Sequence, residues 1–171
     1  MEIERKWLFD INKVPTYVSK TVTYYGQSYL SIEPEVRIRE KQIENLGLRK
    51  NHINKPTYAL AIKGNGTISR HEIQKELTKE EYEALKEVGN IIDEIIIRKR
   101  YYTIPIYDKY DLTVSIVDEG TENEFCYGEI EFESEEEALA FKPLDWFGEE
   151  VTYDKNYKMK NYWKRTRLEN D

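Results

Sequence analysis

Charged residues spaced two apart recur along this chain, beginning with Glu2, Glu4 and Lys6. In an extended strand alternate side chains point to opposite faces, so these three side chains share one face. Two carboxylates and an ammonium group pack poorly in an apolar core, but they suit a site for metal and phosphate. Carboxylate oxygens are ligands that the hard cations Mg²⁺ and Mn²⁺ prefer.

The same spacing returns in four later segments. These hold Arg37 and Arg39; Arg70, Glu72, Gln74 and Glu76; Arg98 and Arg100; and Glu129, Glu131 and Glu133. The solvated face of a half-buried sheet is the simplest interpretation of any one segment. Like charges at this spacing repel unless a ligand neutralises them, so the whole set favours a binding site. Because arginine pairs grip phosphate oxygens, the residues together predict a site for a polyphosphate bridged by metal.

The segments that carry these charges are predicted to be strands, because tyrosine, isoleucine, valine and threonine alternate with polar residues in them. The predicted strands are 2–9, 20–32, 35–42, 57–63, 69–77, 94–105, 110–118 and 125–132. Gly64-Asn65-Gly66 predicts a hairpin. Helices are predicted after the capping residues Thr78 and Ser134, and from Asp154 to Trp163. The pattern indicates an α+β protein: a closed eight-stranded antiparallel β-barrel with peripheral helices.

Composition excludes several classes of protein. The 171 residues are expected to form one domain, 1–171. A net charge of −7 argues against a nucleic-acid binder or a protein of anionic membranes. One cysteine and two histidines are too few for a disulfide framework or a metal centre built on those residues. No apolar run has the length of a membrane span, and the N-terminus does not resemble a signal peptide, so a cytoplasmic location is expected.

The ordered set of charges resembles the CYTH superfamily, the triphosphate tunnel metalloenzymes. Glu2-x-Glu4-x-Lys6 is similar to the N-terminal motif of that family, and the later charged pairs follow in the family's order. The resemblance covers essentially the whole chain, including the segment from Trp146 to Tyr157. It implies an eight-stranded antiparallel barrel whose charged interior binds a triphosphate, with Mg²⁺ or Mn²⁺ as the cofactor.

The resemblance also implies a role for each charged position. Triphosphate would be bound by six basic residues: Arg37, Arg39, Lys63, Arg70, Arg98 and Arg100. Metal would be held by five glutamates: Glu2, Glu4, Glu72, Glu129 and Glu131. Lys6 and Glu4 would be catalytic, with Lys6 touching the terminal phosphate or the attacking water. Catalysis of this kind depends chiefly on positioning and on neutralising charge.

The sequence departs from the family pattern at two of these strand positions. Gln74 stands where a second glutamate is usual, and Glu76 could compensate from the same face. Ser115 stands where an aspartate is usual, so either Asp118 takes its place or a metal ligand is missing. A weakened second metal site is the expected consequence.

Three functions are compatible with these residues. The first is metal-dependent hydrolysis of the terminal phosphoanhydride of inorganic triphosphate, with nucleoside triphosphates as a further substrate class. The alternative is a class IV adenylate cyclase that makes cyclic AMP and pyrophosphate from ATP, although no motif identifies an adenine pocket. The third is a protein that binds polyphosphate without cleaving it. All three share a small triphosphate-containing partner, and the sequence leaves the physiological substrate and a homodimer open.

Overall fold

The computed structural model describes residues 1–15, 19–47, 50 and 52–169. The strands in this part of the chain are β1 (Glu2–Phe9), β2 (Thr21–Ser31), β3 (Glu35–Asn45), β4 (His52–Ile53), β5 (Thr57–Lys63), β6 (Ser69–Arg70), β7 (Glu72–Leu77), β8 (Ile97–Ile106), β9 (Tyr110–Val117) and β10 (Phe125–Glu131). The α-helices are α1 (Lys79–Val88), α2 (Glu135–Ala140) and α3 (Met159–Trp163). Short 3-10 turns cover Ile11–Lys13, Asp93–Ile95 and Lys155–Tyr157, and a π-helical turn at Lys164–Leu168 follows α3.

All strand pairs are antiparallel, in the order β6-β1-β10-β9-β8-β2-β3-β5-β7, with β4 paired to β3. The two ends of this sheet, β6 and β7, are separated in the chain only by His71. Arg70 pairs with Glu2 of β1, whereas Glu72 pairs with Lys63 of β5. The sheet therefore curls into a nearly closed barrel, which confirms the predicted fold class. The single strand expected at 69–77 divides at His71 because its two parts pair with opposite neighbours.

Several element boundaries differ from the sequence prediction. The strand expected to start at residue 94 starts at Ile97, because Asp93–Ile95 forms a 3-10 turn. Strand β3 continues to Asn45, where the unpredicted β4 pairs with it. The helix expected from 154 to 163 is interrupted at Lys158, whose backbone is extended (φ −71°, ψ 128°).

Side-chain capping explains where α1 and α2 begin. The Thr78 hydroxyl accepts a hydrogen bond from the Glu81 N–H at 3.1 Å, and the Glu81 carboxylate accepts one from the Thr78 N–H at 2.8 Å. The Ser134 hydroxyl accepts from the Glu137 N–H at 3.1 Å. These contacts satisfy N–H groups that a helix leaves unpaired at its start, and they confirm both predicted caps.

Most of the apolar core lies between the outer face of the barrel and the segments that cover it. Trp7, Leu112 and Ile130 pack against Phe141 and other residues around α2. A second cluster joins Ile38 of β3 to Tyr82 of α1, and a third places Trp163 of α3 against Tyr29. The first two clusters use the outer faces of the strands, whereas the third, which also holds Ile97 and Tyr127, lies on the inner face beside the polar groups. No helix of the described residues is long and apolar enough to cross a membrane.

Candidate functional site

The barrel encloses a cavity of about 590 Å³ whose lining combines cations and carboxylates. The basic lining residues are Lys6, Arg37, Arg39, Lys63, Arg70, Lys99, Lys109 and Lys158. The acidic lining residues are Glu2, Glu4, Glu35, Glu72, Asp111, Glu129, Glu131 and Asp154. The cations of β3, β5 and β8 form a basic wall, and the carboxylates of β1 and β10 form an acidic wall. The structure thus brings together ten of the twelve predicted site residues.

The two exceptions are Arg98 and Arg100, which lie on the outer face of β8 in a separate groove. Arg100 forms an ion pair with Glu119 there, at 2.6 Å. The prediction that both arginines line the site was therefore wrong. A strand register that differs by one residue exchanges the two faces, and in Arg98-Lys99-Arg100 both faces are basic. The pairing of Lys99 with Tyr25, another lining residue, decides which face turns inward.

Sequence reasoning missed three cations of the lining, Lys99, Lys109 and Lys158, of which Lys99 lies on a central strand of the barrel. Ile97 shares its face and is fully buried, which makes that face look like ordinary core. The alternation of Lys99 with Tyr101 and Thr103, all of which line the cavity, is the signal that could have identified it. Burial, opposed by Glu129 and reinforced by nearby arginines, lowers the pKa of Lys99 from 10.5 to about 7.

Two neighbouring arginines of β3, Arg37 and Arg39, form part of the basic wall. The Arg39 guanidinium lies 4.1 Å from the centroid of the Tyr25 ring. No carboxylate of the described residues lies within ion-pair distance of Arg39. Arg37 is 3.6 Å from Glu72, and its buried Nε has no hydrogen-bond partner. Burial and the neighbouring Arg37 lower the pKa of Arg39. An anion with several oxygens would relieve the repulsion between the Arg37 and Arg39 guanidinium groups and accept a hydrogen bond from the unpaired Arg37 Nε.

By contrast, Lys63 and Arg70 are neutralised within the protein. The Lys63 Nζ lies 3.0 Å from both carboxylate oxygens of Glu2. The Arg70 Nε donates to Glu2 at 3.0 Å, and its Nη1 donates to Glu35 at 3.3 Å. Burial acts to raise the pKa of Glu2, but Lys63 and Arg70 hold it below the ordinary value. Both oxygens of the Glu2 carboxylate are therefore engaged in ion pairs with Lys63 and Arg70 and are not open to a metal ion.

On the acidic wall, carboxylates outnumber the cations beside them. Glu4 and Glu131 are cross-strand partners on β1 and β10, and Lys6 pairs with Glu129 two residues along β1. Burial acts to raise the pKa of Glu129, but Lys6, at 2.8 Å, and Lys99 lower it to about 2. Burial and the charge of Glu129 raise the pKa of Glu4 to about 7. The pKa of Glu131 is raised by burial and by Glu2 and Glu129.

Glu4, Glu129 and Glu131 have the chemistry of a site for Mg²⁺ or Mn²⁺, since their oxygens are hard ligands, and a bound cation would offset the burial and like charge that raise the pKa values of Glu4 and Glu131. Among the residues that the structure describes, no three acidic, histidine or cysteine side chains come close enough to hold an ion by themselves. Mg²⁺ is commonly bound by one or two carboxylates together with substrate phosphates rather than by a protein cage. The residues therefore fit a metal that arrives with, or is completed by, a phosphate ligand.

The two departures from the family pattern have clear structural outcomes. Gln74 lines the cavity, but Glu76 is not part of the lining and so does not replace a glutamate there. Ser115 lines the cavity and is buried. Asp118 lies elsewhere: it accepts from the Arg98 N–H at 3.1 Å, pairs with Arg167 at 2.7 Å and accepts from the Tyr162 hydroxyl. Asp118 thus fastens the C-terminal helical turns and does not take the position of a metal ligand.

Residues 151–169, which we call the C-terminal segment, contact the cavity through their first part. The Lys6 Nζ donates to the Tyr157 carbonyl at 3.3 Å, and the Lys6 N–H donates to the Thr152 hydroxyl at 3.0 Å. Lys158 lines the cavity and donates to the carbonyl of Gly66, in the loop before β6. These contacts close the barrel wall beside Lys6.

Comparisons with known proteins identify relatives of the whole chain. No family model matches the chain. The chain is 30% identical over 171 residues to the inorganic triphosphatase of Nitrosomonas europaea, covering 93% of this chain and 94% of that protein. A crystal structure of the inorganic triphosphatase NE1496 superimposes with a TM-score of 0.59 and 27% identity, over 95% of this chain and 93% of that one. The PH1819 protein of Pyrococcus horikoshii OT3 shares the fold, with a TM-score of 0.50, 15% identity and coverage of 81% and 82%. The chain therefore belongs to the CYTH superfamily of triphosphate tunnel metalloenzymes.

Proposed function

We propose that this protein is a metal-dependent triphosphatase that hydrolyses the terminal phosphoanhydride bond of inorganic triphosphate. The observation that carries the proposal is the divided interior, in which Arg39 and Lys99, which form no ion pair with a carboxylate of the described residues, share the cavity with the carboxylates of Glu4, Glu129 and Glu131. The relationship to an inorganic triphosphatase supports the choice of substrate. Nucleoside triphosphates are a further substrate class, because a site that recognises phosphate oxygens reads little of what is attached to them.

The basic wall would bind the substrate. Arg37 and Arg39 present guanidinium donors to bridging and terminal oxygens, and Lys99 adds an ammonium group from β8. Together they would hold the triphosphate in one orientation and stabilise the charge that develops on the departing pyrophosphate. Their buried setting makes each such contact stronger than it would be in water.

The acidic wall would act at the bond that breaks. Glu4, Glu129 and Glu131 would hold Mg²⁺ or Mn²⁺, which when bound would neutralise phosphate charge. Lys6, fixed by Glu129 at 2.8 Å, would contact the terminal phosphate or the attacking water. Glu4, with its pKa near 7, would lose its proton as the metal and substrate bind.

Product analysis tests the proposal directly. The purified protein would be incubated with tripolyphosphate or ATP, with Mg²⁺, with Mn²⁺ and with a chelator. We expect orthophosphate and pyrophosphate from tripolyphosphate, lost on chelation and in Glu4→Gln. The matched control is Glu133→Gln, which removes the same charge just beyond β10 and outside the cavity lining. Cyclic AMP from ATP would favour the cyclase instead, and tight tripolyphosphate binding without turnover would reject hydrolysis.

A further inference from the structure

Tyr127 of β10 is a fully buried tyrosine at which two lysines of the cavity meet. The Lys99 Nζ donates to its hydroxyl at 2.8 Å. The Lys6 Nζ lies 4.5 Å from the centroid of its ring. By sequence Tyr127 is an ordinary packing aromatic between Cys126 and Gly128, and nothing in its spacing sets it apart.

The topology explains how one side chain reaches both lysines. Lys6 is on β1, which pairs directly with β10. Lys99 is on β8, on the far side of β9. The cross-strand partner of Tyr127 on β9 is Ser115, a small residue that leaves room for the phenol to extend toward β8.

The chemistry of a tyrosine suits this position better than that of a carboxylate. The face of the ring attracts one ammonium group through its quadrupole, and the hydroxyl oxygen accepts a hydrogen bond from the other. Neither interaction adds a formal negative charge. A carboxylate at the same place would neutralise the lysines and repel a triphosphate, whereas Tyr127 holds them while leaving their charge available.

We propose, on the basis of the proposed function, that Tyr127 is a positioning residue that sets the separation of the Lys6 and Lys99 ammonium groups around the bound triphosphate. Its hydroxyl orients Lys99, and its ring supports Lys6. Tyr127 acts through these two lysines and makes no bond to the reacting atoms.

A double-mutant cycle tests this role. Tyr127→Phe removes the hydroxyl that holds Lys99 and keeps the ring below Lys6. We expect kcat for tripolyphosphate to fall roughly 10- to 100-fold, the size of one hydrogen bond to a charged group, with little change in melting temperature. On a Lys99→Met background the same change should alter kcat by less than about 2-fold, because the group it positions is absent. Tyr102→Phe, on the outer face of β8, is the matched control.

Two results would overturn the proposal: a Tyr127→Phe protein with wild-type kcat, or an equal loss with and without Lys99. An equal loss would mean that the hydroxyl only supports the fold. If Tyr127→Phe does not fold, 3-fluorotyrosine at position 127 weakens the hydroxyl as a hydrogen-bond acceptor and changes its shape little. We then expect a smaller loss of kcat in the protein that keeps Lys99, and no further loss in Lys99→Met. If the wild-type protein does not cleave tripolyphosphate, the proposed function fails. The same cycle measured on tripolyphosphate affinity by calorimetry then decides the role of Tyr127 separately.

Discussion

Replacing Lys99 and Arg100 one at a time tests which face of β8 serves the site. Both residues are basic and adjacent, but Lys99 faces the cavity and Arg100 faces the outside. The variants Lys99→Met and Arg100→Met each remove one positive charge and keep a long side chain. The structure predicts that only Lys99→Met loses activity, and that the two variants change the free energy of unfolding in opposite directions.

For activity, Lys99→Met should lower kcat/KM for tripolyphosphate about 10²- to 10³-fold, the effect of losing one buried group that stabilises transition-state charge. The same substitution should stabilise the fold, although it lowers the activity. Moving the pKa of Lys99 from 10.5 to about 7 corresponds to roughly 5 kcal/mol against the charged form inside the fold. Removing the buried ammonium group removes this cost, but it also removes the hydrogen bond from Lys99 to Tyr127, which offsets part of the gain in stability. Lys99→Met should therefore raise the free energy of unfolding at pH 7 by about 1–3 kcal/mol.

Arg100→Met should leave kcat/KM within about 3-fold of wild type. Its ion pair with Glu119 joins side chains that are 31% and 52% exposed, so its loss should lower the free energy of unfolding by at most about 1 kcal/mol. Phosphate release with saturating Mg²⁺ and urea unfolding at pH 7 measure the two quantities. Equal losses of activity in both variants, or a destabilised Lys99→Met, would refute the inward placement of Lys99.

Three further predictions concern stability. Because the folded protein keeps a proton on Glu4 up to about pH 7, wild type should lose on the order of 3 kcal/mol relative to Glu4→Gln as the pH rises from 4.5 to 7 without metal. Added Mg²⁺ should reverse this loss, and parallel pH profiles of unfolding would contradict it. A Cβ on Gly148 would lie 2.0 Å from the Leu8 carbonyl oxygen, so Gly148→Ala should destabilise by about 1–3 kcal/mol in urea unfolding, whereas Gly64→Ala, whose nearest atom is at 3.6 Å, should not. Arg5→Met loses hydrogen bonds to a carboxylate and to two carbonyls at 2.7–2.9 Å, and should cost about 3 kcal/mol by the same assay; a change below 0.5 kcal/mol would show these contacts to be unimportant.

The sequence by itself was enough for most of the strands, for the antiparallel barrel and for most of the residues that line the cavity. A two-residue period identifies a strand and its shared faces, so Glu2, Glu4 and Lys6 could be grouped without any structure. The helix caps at Thr78 and Ser134 were equally predictable, because capping is a contact between residues three apart. The ordered series of charged pairs was specific enough to indicate the family.

Only the tertiary structure decided which face of each strand turns inward and which charges remain free. In Arg98-Lys99-Arg100 both faces are basic, and pairing with β2 chose Lys99. The ion pair between Glu2 and Lys63 joins residues 61 positions apart. Asp118 was taken by the C-terminal segment, and no spacing within its own strand records that contact. Local periodicity constrains neighbours along a strand, whereas the register of distant strands and the closure of the barrel determine which charges meet.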